Sequence, residues 1–292
     1  ESVKKAIEEN NPLAPLHNPA NLIGIGVAEE LFPETPNVAV FDTEFHQTMP
    51  PKAYLYALPY EYYQDLKIRR YGFHGTSHKY VAKNVAAAMG RKPEEINVIT
   101  VHLGNGGSIT AVQNGKCIDT SMGMTPLAGV MMGSRCGDID PAIAGYIAEM
   151  KNISYREVDA ILNKESGLKG ICGMNDMRDI HESAAAGNER ARLAVDMFSY
   201  RVKKYIGAYF AALGTVDAIA FTAGIGENDD IVRKGVCENM QGLGIELDLQ
   251  ANAGRISSQK LISTPASKVQ IWVIPTNEEL QIAQDTIDTL RQ

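Results

Sequence analysis

INVITVHLGNGGSITAVQNGKCIDT, residues 96–120, is the stretch that decides the fold class. Residues 96–103 and 108–112 are rich in β-branched and aliphatic side chains, which indicates two buried strands. The Asn114-Gly115 pair predicts a hairpin into a third strand, because this dipeptide favours tight antiparallel turns. Between the first two strands, the glycines of residues 104–107 leave backbone amides uncovered, so a phosphate could approach closely.

Strand and helix patterns alternate along the rest of the chain, which predicts the α/β class. Asn18-Pro19 supplies a helix cap followed by a first-turn proline, and Ser154 with Glu157 predicts a capping box before another helix. Apolar residues recur at helical spacing over residues 188–213, which indicates a long core helix. Helices are expected at residues 18–31, 75–90, 188–213, 229–240 and 277–290, and further strands at 38–41, 217–221 and 269–274.

Composition narrows the function classes and the compartment. The formal net charge of −7 argues against general nucleic-acid binding. No run approaches the ~18 apolar residues of a membrane span, and no signal peptide opens the sequence. The four cysteines lack CxxC spacing and suggest neither a zinc site nor a redox motif. We therefore expect a cytoplasmic protein without membrane or nucleic-acid partners.

Two glycine-rich segments are candidate phosphate sites. HLGNGGS at 102–108 lies between two strands, and TAGIGEN at 222–228 follows a strand and precedes a helix, where anions bind well. The second is neither a Rossmann fingerprint nor a Walker A loop, because the required third glycine and the GK[ST] motif are missing. Each segment also fits a structural alternative. The first could be a hairpin turn, and the second could be a tight strand–helix connection.

Two segments offer cationic groups to an anion. RRYGFHGTSH at 69–78 concentrates arginines and histidines before a helix, and its alternative is a basic capping turn. Arg135 lies in a glycine-flanked loop, where its guanidinium could bind a phosphoryl group bidentately. A salt bridge to Asp138 or Asp140 is the alternative for this arginine.

Candidate carboxylates occur at three places. Asp42 ends a predicted strand, where it could accept a proton or simply stabilise a turn. Glu278 and Glu279 begin the last predicted helix, where they could bind Mg²⁺ or complement the helix dipole. Asp176 could cap a helix or contact a nucleotide from the side.

Taken together, these segments resemble the acetate kinase family over essentially the whole chain. Long motifs in a fixed order are more specific than any single glycine loop. The matching motifs are PLAPLHNP at 12–19, VFDTEFHQTMP at 40–50, RRYGFHGTSH at 69–78, HLGNGGS at 102–108, DTSMGMTPLAG at 119–129, SRCGDIDP at 134–141, TAGIGEN at 222–228 and TNEEL at 276–280.

The resemblance implies the fold shared by sugar kinases, heat-shock ATPases and actin, in which two α/β domains flank a cleft. It assigns residues 1–46 and 279–292 to a first domain and residues 47–278 to a second, nucleotide-binding domain. The family begins with a strand and an N-x-G-S-S-S loop, and then carries an arginine for the carboxylate substrate. Neither occurs upstream of residue 12, so we expect a truncated or cleaved chain whose first domain is incomplete.

The resemblance also implies roles for individual residues. Asp42 matches the catalytic acid or base, and His74 and Arg135 match transition-state stabilisers. Glu278 matches the ligand of Mg²⁺ (or Mn²⁺), and His17 and Asn105 match positions that line the cleft. The stretches matching ATP- or ADP-binding positions are His102, Leu103, Gly104, Asn105 and Gly106; Asp176, Met177 and Arg178; and Gly224, Ile225, Gly226, Glu227 and Asn228.

The implied activity is reversible phosphoryl transfer from ATP to acetate, giving acetyl phosphate, in an enzyme that is usually a homodimer. Propionate and butyrate kinases share these motifs, so the acyl chain length stays open. A fragment that binds nucleotide without turnover is a second alternative. An actin-like or chaperone ATPase is a poorer third one, because it would not need Arg135 and His74 to converge at a carboxylate site.

Overall fold

The computed structural model describes residues 2–11 and 18–291. His17, which the resemblance places in the cleft, lies outside them. The helices are α1 (Ser2–Glu9), α2 (Asn18–Leu31), α3 (Pro51–Tyr54), α4 (Tyr60–Leu66), α5 (Gly75–Ala88), α6 (Ala142–Lys151), α7 (Tyr155–Lys164), α8 (Gly167–Cys172), α9 (Met177–Ala185), α10 (Glu189–Leu213), α11 (Ala223–Asn228), α12 (Asp230–Cys237), α13 (Leu249–Asn252) and α14 (Glu278–Leu290). The strands are β1 (Asn97–Leu103), β2 (Gly107–Gln113), β3 (Lys116–Thr120), β4 (Ala218–Thr222), β5 (Lys260–Leu261) and β6 (Gln270–Val273).

The chain divides into two compact units, Glu1–Val40 with Ile282–Gln292, and Phe41–Gln281. The first unit contains α1 and α2, which a Lys4–Glu29 ion pair joins at 2.8 Å. The second unit contains the sheet and every candidate site residue considered below. Among the residues described, no helix combines the length and the apolar content needed to cross a membrane.

The strands form one mixed sheet in the order β3-β2-β1-β4-β6-β5. Its centre is parallel, because β4 pairs with β1 on one side and with β6 on the other. The outer pairs β1–β2, β2–β3 and β5–β6 are antiparallel. This mixed sheet with helices confirms the α/β class that the alternating sequence pattern predicts.

Alternate residues of the central strands bury their side chains on opposite faces of the sheet. On one face, Ile99 and Val101 of β1 join a large apolar core with Phe198 and Val202 of α10. On the other face, Val98 packs in a smaller core with residues of α5. The sheet therefore lies between α10 and α5, and the N-terminus of α5 begins beside the ends of the parallel strands.

The predicted hairpin is present between β2 and β3. Asn114 and Gly115 both adopt the left-handed conformation, with φ of 51° and 77°. Positive φ at both central residues is what a type I′ turn requires, and asparagine and glycine tolerate it best. The capping box predicted by Ser154 and Glu157 at the start of α7 is also formed.

Three local expectations are wrong. Residues 38–41 form no strand, and Phe41 is 46% exposed, because no neighbouring strand of the described chain pairs with this segment. The TAGIGEN segment is not a loop before a helix, since α11 already begins at Ala223. Leu193 lies on the predicted apolar stripe of α10 but is half-exposed, because the first turns of that helix bury only their other face.

Candidate functional site

The candidate site lies where the parallel strands end. His102 of β1 is opposite Thr222 of β4 in the register, so the segments that follow both strands leave the sheet at the same edge. The turn at 104–106 follows β1, and α11 follows β4. Ligands of α/β sheets bind at this carboxyl edge, because the strand ends and helix N-termini meet there.

Asp42 and His74 are fixed to each other through the backbone at the start of α5. The amide of His74 donates to Oδ2 of Asp42 at 2.6 Å, and the amide of Gly75 donates to the Asp42 carbonyl at 2.9 Å. A Cβ at Gly75 would collide with that carbonyl, so only glycine allows this approach. His74 itself is left-handed, with φ of 57°. The two predicted residues are therefore neighbours in space.

His74 and Arg135 converge on the glycine turn. A Cβ built on Gly106 would lie 3.4 Å from Cε1 and Nε2 of His74 and 3.5 Å from Nη1 of Arg135. One point beside the bare backbone of this turn is thus within reach of an imidazole edge and a guanidinium. The histidine and the arginine that the sequence predicts as anion-binding groups therefore both meet the predicted phosphate turn.

Arg135 is aimed by a tightly packed loop. Its Nη1 donates to the Pro126 carbonyl at 3.1 Å, and its own carbonyl accepts from the amide of Met132 at 3.1 Å. Burial lowers the pKa of Arg135, but an arginine starts so far above neutrality that the guanidinium stays charged at neutral pH. No salt bridge to Asp138 or Asp140 forms, although both residues are described. Asp138 instead accepts from the Tyr205 hydroxyl and from the Gly129 amide.

Replacement of Gly167 with alanine should disturb Arg135 from outside the site. Gly167 has φ of 61°, and a Cβ there would collide with the carbonyl of Met132 and press on that of Arg135. We expect the kcat of phosphoryl transfer, the activity that the resemblance implies, to fall about tenfold or more. A displacement of about 1 Å of a group that positions the reacting atoms is costly. Steady-state kinetics on folded protein would measure it.

Gly173→Ala is the matched control for this substitution. Gly173 also has positive φ, at 80°, but its added Cβ would meet nothing within 4 Å. Both variants carry the same type of backbone strain, and only Gly167→Ala adds the collision. Equal kinetic losses in the two variants would show that strain alone, without displacement of Arg135, explains the effect.

Four histidine rings form a buried cluster behind the convergence point. The His74 ring stacks on His102 at 4.1 Å between centroids, and His78 lies 5.8 Å from His46 and 6.1 Å from His102. Burial lowers the pKa of His46 to about 4 and that of His102 to about 3, and it lowers the pKa of His74 and His78 as well. All four rings are therefore neutral at physiological pH.

A cavity of about 730 Å³ opens beside the glycine turn. Segments from all three predicted nucleotide-binding stretches line it, so the fold brings together stretches that are far apart in the sequence. Its volume suits a nucleotide-sized ligand. The predicted residues that line it are Gly104, Asn105, Asp176, Met177, Arg178, Gly224, Ile225 and Asn228.

Five predicted nucleotide-binding residues are not among those lining the cavity in the described chain. The apolar side chain of Leu103 is fully buried in the core. His102 and Gly106 lie toward the His74 side of the turn. The Gly226 carbonyl accepts from the buried Arg233 at 3.0 Å, and the Glu227 carboxylate accepts from the Ala223 amide at 2.8 Å. Gly226 and Glu227 thus make hydrogen bonds that support the structure of α11.

Asp176 caps α9, and the first two residues of that helix, Met177 and Arg178, line the cavity beside it. Its carboxylate accepts from the amide of Arg178 at 2.9 Å and pairs with the guanidinium of that residue at 2.6 Å. The hydrogen bonds from Arg178 lower the pKa of Asp176 to about 2. The cap and the nucleotide contact, weighed as alternatives from the sequence, are compatible in one residue.

Several lining residues escape the sequence motifs. His181 bonds Asp229 at 2.7 Å, and this bond raises the pKa of His181. His181 follows Arg178 by three residues on α9, so helical spacing was a usable signal for it. Arg255 comes from a distant loop and had no local signal. The lining residues without a sequence prediction are Gly133, Asn175, His181, Asp229, Asp230, Ile231 and Arg255.

Glu278 begins α14 close to Asp42. Burial raises the pKa of Glu278, and the negative charge of Asp42 raises it further. A half-buried carboxylate with a second carboxylate near it suits a divalent cation. In the described part of the chain, no group of three or more His, Cys, Asp or Glu side chains is arranged to hold a metal ion by itself. The donor set therefore fits Mg²⁺, which uses one or two carboxylates and takes its other ligands from water and phosphate.

Comparisons with known proteins identify the family of this chain. A family model described as the Acetokinase family matches residues 1–284. The acetate kinase of Oleidesulfovibrio alaskensis is 62% identical over 291 residues, which are 100% of this chain and 72% of that protein. The acetate kinase of Nitratidesulfovibrio vulgaris (strain DP4) is 64% identical over 280 residues, covering 96% of this chain and 70% of that protein.

Solved structures give the same result. The Porphyromonas gingivalis acetate kinase structure has a TM-score of 0.97 at 47% identity, covering 99% of this chain and 73% of that one. A propionate kinase structure from Francisella tularensis has a TM-score of 0.90 at 49% identity, covering 96% of this chain and 72% of that one. The actin-like α/β fold implied by the motifs is therefore confirmed, and the chain belongs to the acetokinase family.

Proposed function

We propose that this chain catalyses reversible transfer of the terminal phosphoryl group of ATP to acetate, giving ADP and acetyl phosphate. The observation that carries the proposal is the approach of His74 Nε2 and Arg135 Nη1 to one point beside Gly106. That point adjoins the large cavity through Gly104 and Asn105. Nucleotide held in the cavity can therefore extend its phosphates along the glycine turn to the two side chains.

The transfer moves one phosphoryl group between two oxygens. A carboxylate oxygen of acetate forms a bond to phosphorus, the bond from phosphorus to the ADP oxygen breaks, and ADP leaves with that electron pair. Positioning and charge stabilisation provide most of the catalysis in such reactions. Arg135 supplies a permanent positive charge to the equatorial oxygens, and His74 adds a hydrogen-bond donor beside it.

Two carboxylates complete the proposed site. Asp42 acts as the acid or base and also holds the His74 backbone, through the bond from the His74 amide. Glu278, near Asp42, would hold Mg²⁺ or Mn²⁺ with the phosphates of the nucleotide. When bound, the cation neutralises charge on the phosphate oxygens.

A bulky residue at Gly106 tests the convergence directly. In Gly106→Val, branched carbons would occupy the space between the His74 ring and the Arg135 guanidinium. We expect acetyl phosphate formation, followed as its hydroxamate, to drop by roughly 100-fold, a loss typical of removing a transition-state donor. Calorimetry should show ADP binding within a few-fold of the parent.

Gly106→Ala is the graded control, because its Cβ would make only close van der Waals contact with both side chains. The smaller substitution should retain most of the activity. If Gly106→Val transfers phosphate as well as the parent does, no phosphoryl group passes between His74 and Arg135, and the proposed site is wrong.

Acetate is the proposed acceptor, with propionate as the second candidate. The 49% identity to a propionate kinase structure supports propionate as this second candidate. Values of kcat/KM for acetate, propionate and butyrate would separate these acceptors. ADP binding without any transfer to the three acids would instead support the alternative of a nucleotide-binding fragment.

We also propose a cytoplasmic homodimer, without nucleic-acid or membrane partners. Three apolar side chains of α6 are exposed at helical spacing, namely Ile143 at 41%, Tyr146 at 65% and Met150 at 64%. An exposed apolar stripe of this kind is typical of an interaction surface. Light scattering on purified protein would give the dimer mass, and a monomer at micromolar concentration would refute this assembly.

A further inference from the structure

The hydroxyl of Ser108 bridges two histidine rings behind the proposed site. Its Oγ lies 2.8 Å from Nδ1 of His74 and 2.7 Å from Nε2 of His78. On the far side of His78, Nδ1 lies 2.7 Å from Oγ1 of Thr100. Ser108, His78 and Thr100 are all fully buried. A continuous chain of hydrogen bonds thus runs from the middle of β1 to the ring of His74.

Each hydroxyl in this chain has a single proton, so the protons can be ordered in two ways. In the first order, Thr100 donates to the carbonyl of Thr110 at 3.4 Å. His78 then donates to Thr100 and Ser108 donates to His78, so His74 donates to Ser108 and its proton is on Nδ1. In the second order Thr100 donates to His78 instead of to the Thr110 carbonyl, His78 donates to Ser108, and Ser108 donates to Nδ1 of His74, so the proton of His74 is on Nε2.

The reacting phosphoryl group distinguishes the two orders. Nε2 of His74 is on the edge that faces the point beside Gly106. An anionic oxygen there needs a donor, and a lone pair on Nε2 would repel it. The charged groups facing His74 are Asp42 and Arg135, and the neutral His102 ring covers its face. Burial together with Arg135 keeps the ring neutral, and Asp42 opposes this only in part.

We propose that Thr100, His78 and Ser108 are positioning residues that hold neutral His74 with its proton on Nε2, ready to donate to the transferring phosphoryl group. Thr100 donates to His78, His78 to Ser108, and Ser108 to Nδ1 of His74. No proton is gained or lost in the chain. The three residues act through His74 and touch no substrate, and the inference rests on the proposed phosphoryl transfer.

Thr100→Val tests the far end of the chain without changing the shape of the core. It removes the hydroxyl that donates to Nδ1 of His78, so no hydrogen bond at Nδ1 fixes the tautomer of His78 or, through Ser108, that of His74. We expect kcat to fall by roughly 10-fold to 100-fold, as when groups that orient a catalytic histidine are removed. KM for ATP should stay within twofold, and Thr100→Ser, which restores the hydroxyl, should recover the parent kcat.

Thr110→Val is the matched control. Thr110 is also fully buried in the sheet, but its hydroxyl bonds that of Thr120 at 2.8 Å and takes no part in the chain. Both substitutions exchange a buried hydroxyl for a methyl group in neighbouring strands. Equal kcat values in Thr100→Val and Thr110→Val would overturn the proposal.

The tautomer itself can be read by ¹⁵N NMR of histidine-labelled protein, with and without ADP, Mg²⁺ and aluminium fluoride. The sequence has six histidines, so a His74→Gln spectrum identifies the His74 signals. A protonated Nε2 beside an unprotonated Nδ1 supports the proposal. Imidazolium, or a proton on Nδ1, refutes it. Absence of transfer activity in the parent protein would count against the proposed function. Normal transfer in Thr100→Val would count only against the role of the hydrogen-bond chain.

Discussion

Arg135→Ala is expected to lose almost all acetyl phosphate formation, with kcat lowered by about 10³-fold or more. The guanidinium brings a permanent positive charge to within 3.5 Å of the point beside Gly106. Charge builds on the phosphoryl oxygens during transfer, and Arg135 is held in place for them by the Pro126 carbonyl. The hydroxamate assay and ADP calorimetry would measure the two effects separately.

Arg135→Lys is the informative partner of this variant. Lysine keeps the charge but loses the planar fork that binds two oxygens at once, so we expect activity between the parent and the alanine variant. ADP affinity should change little in both, because Arg135 does not line the nucleotide cavity among the described residues. An alanine variant that transfers phosphate within fivefold of the parent would remove Arg135 from the mechanism.

Substitution of Asp42 should have the second largest effect. We expect Asp42→Asn to lower kcat by about 10²-fold to 10⁴-fold, since general acid or base groups typically contribute that much. The amide can still accept from the His74 backbone through its oxygen, so the geometry of His74 should be retained. The loss would then report the ionisable carboxylate. Steady-state kinetics in both directions would measure it.

Asp42→Ala distinguishes the catalytic role of Asp42 from its role in holding the His74 backbone. Alanine removes the acceptor for the His74 amide, which lies 2.6 Å from Oδ2 in the parent. We therefore expect Asp42→Ala to be less active than Asp42→Asn and also less stable to denaturant. Near-parent activity in Asp42→Asn would mean that Asp42 only anchors His74, and the role of acid or base would pass to another group.

Local sequence signals predicted the parts of the fold that depend on neighbours in the chain. The Asn114-Gly115 turn and the box at Ser154 need only a few residues to form, and both are present. Residues 38–41 had the composition of a strand, yet a strand exists only where another strand pairs with it. The helix at Ala223 was missed because its first four residues, Ala-Gly-Ile-Gly, include two glycines that weaken a helical prediction.

The site was predictable to the extent that it follows the family motifs. Asp42, His74, Arg135 and the glycine turn were named from the sequence, and the structure places them together. The buried hydrogen-bond chain was not predictable, because it joins one residue each from β1, β2 and α5. Its formation depends on how α5 packs across the sheet, and no spacing within the sequence encodes that contact.

The left-handed backbone of His74 has a practical consequence for engineering. A side chain in this conformation costs about 1–2 kcal/mol that glycine would not incur. Selection for thermal tolerance alone would therefore favour glycine at this position and would discard the imidazole. Variant libraries that aim to raise the thermal stability of this protein should keep His74 unchanged, or should be screened for turnover as well as for melting temperature.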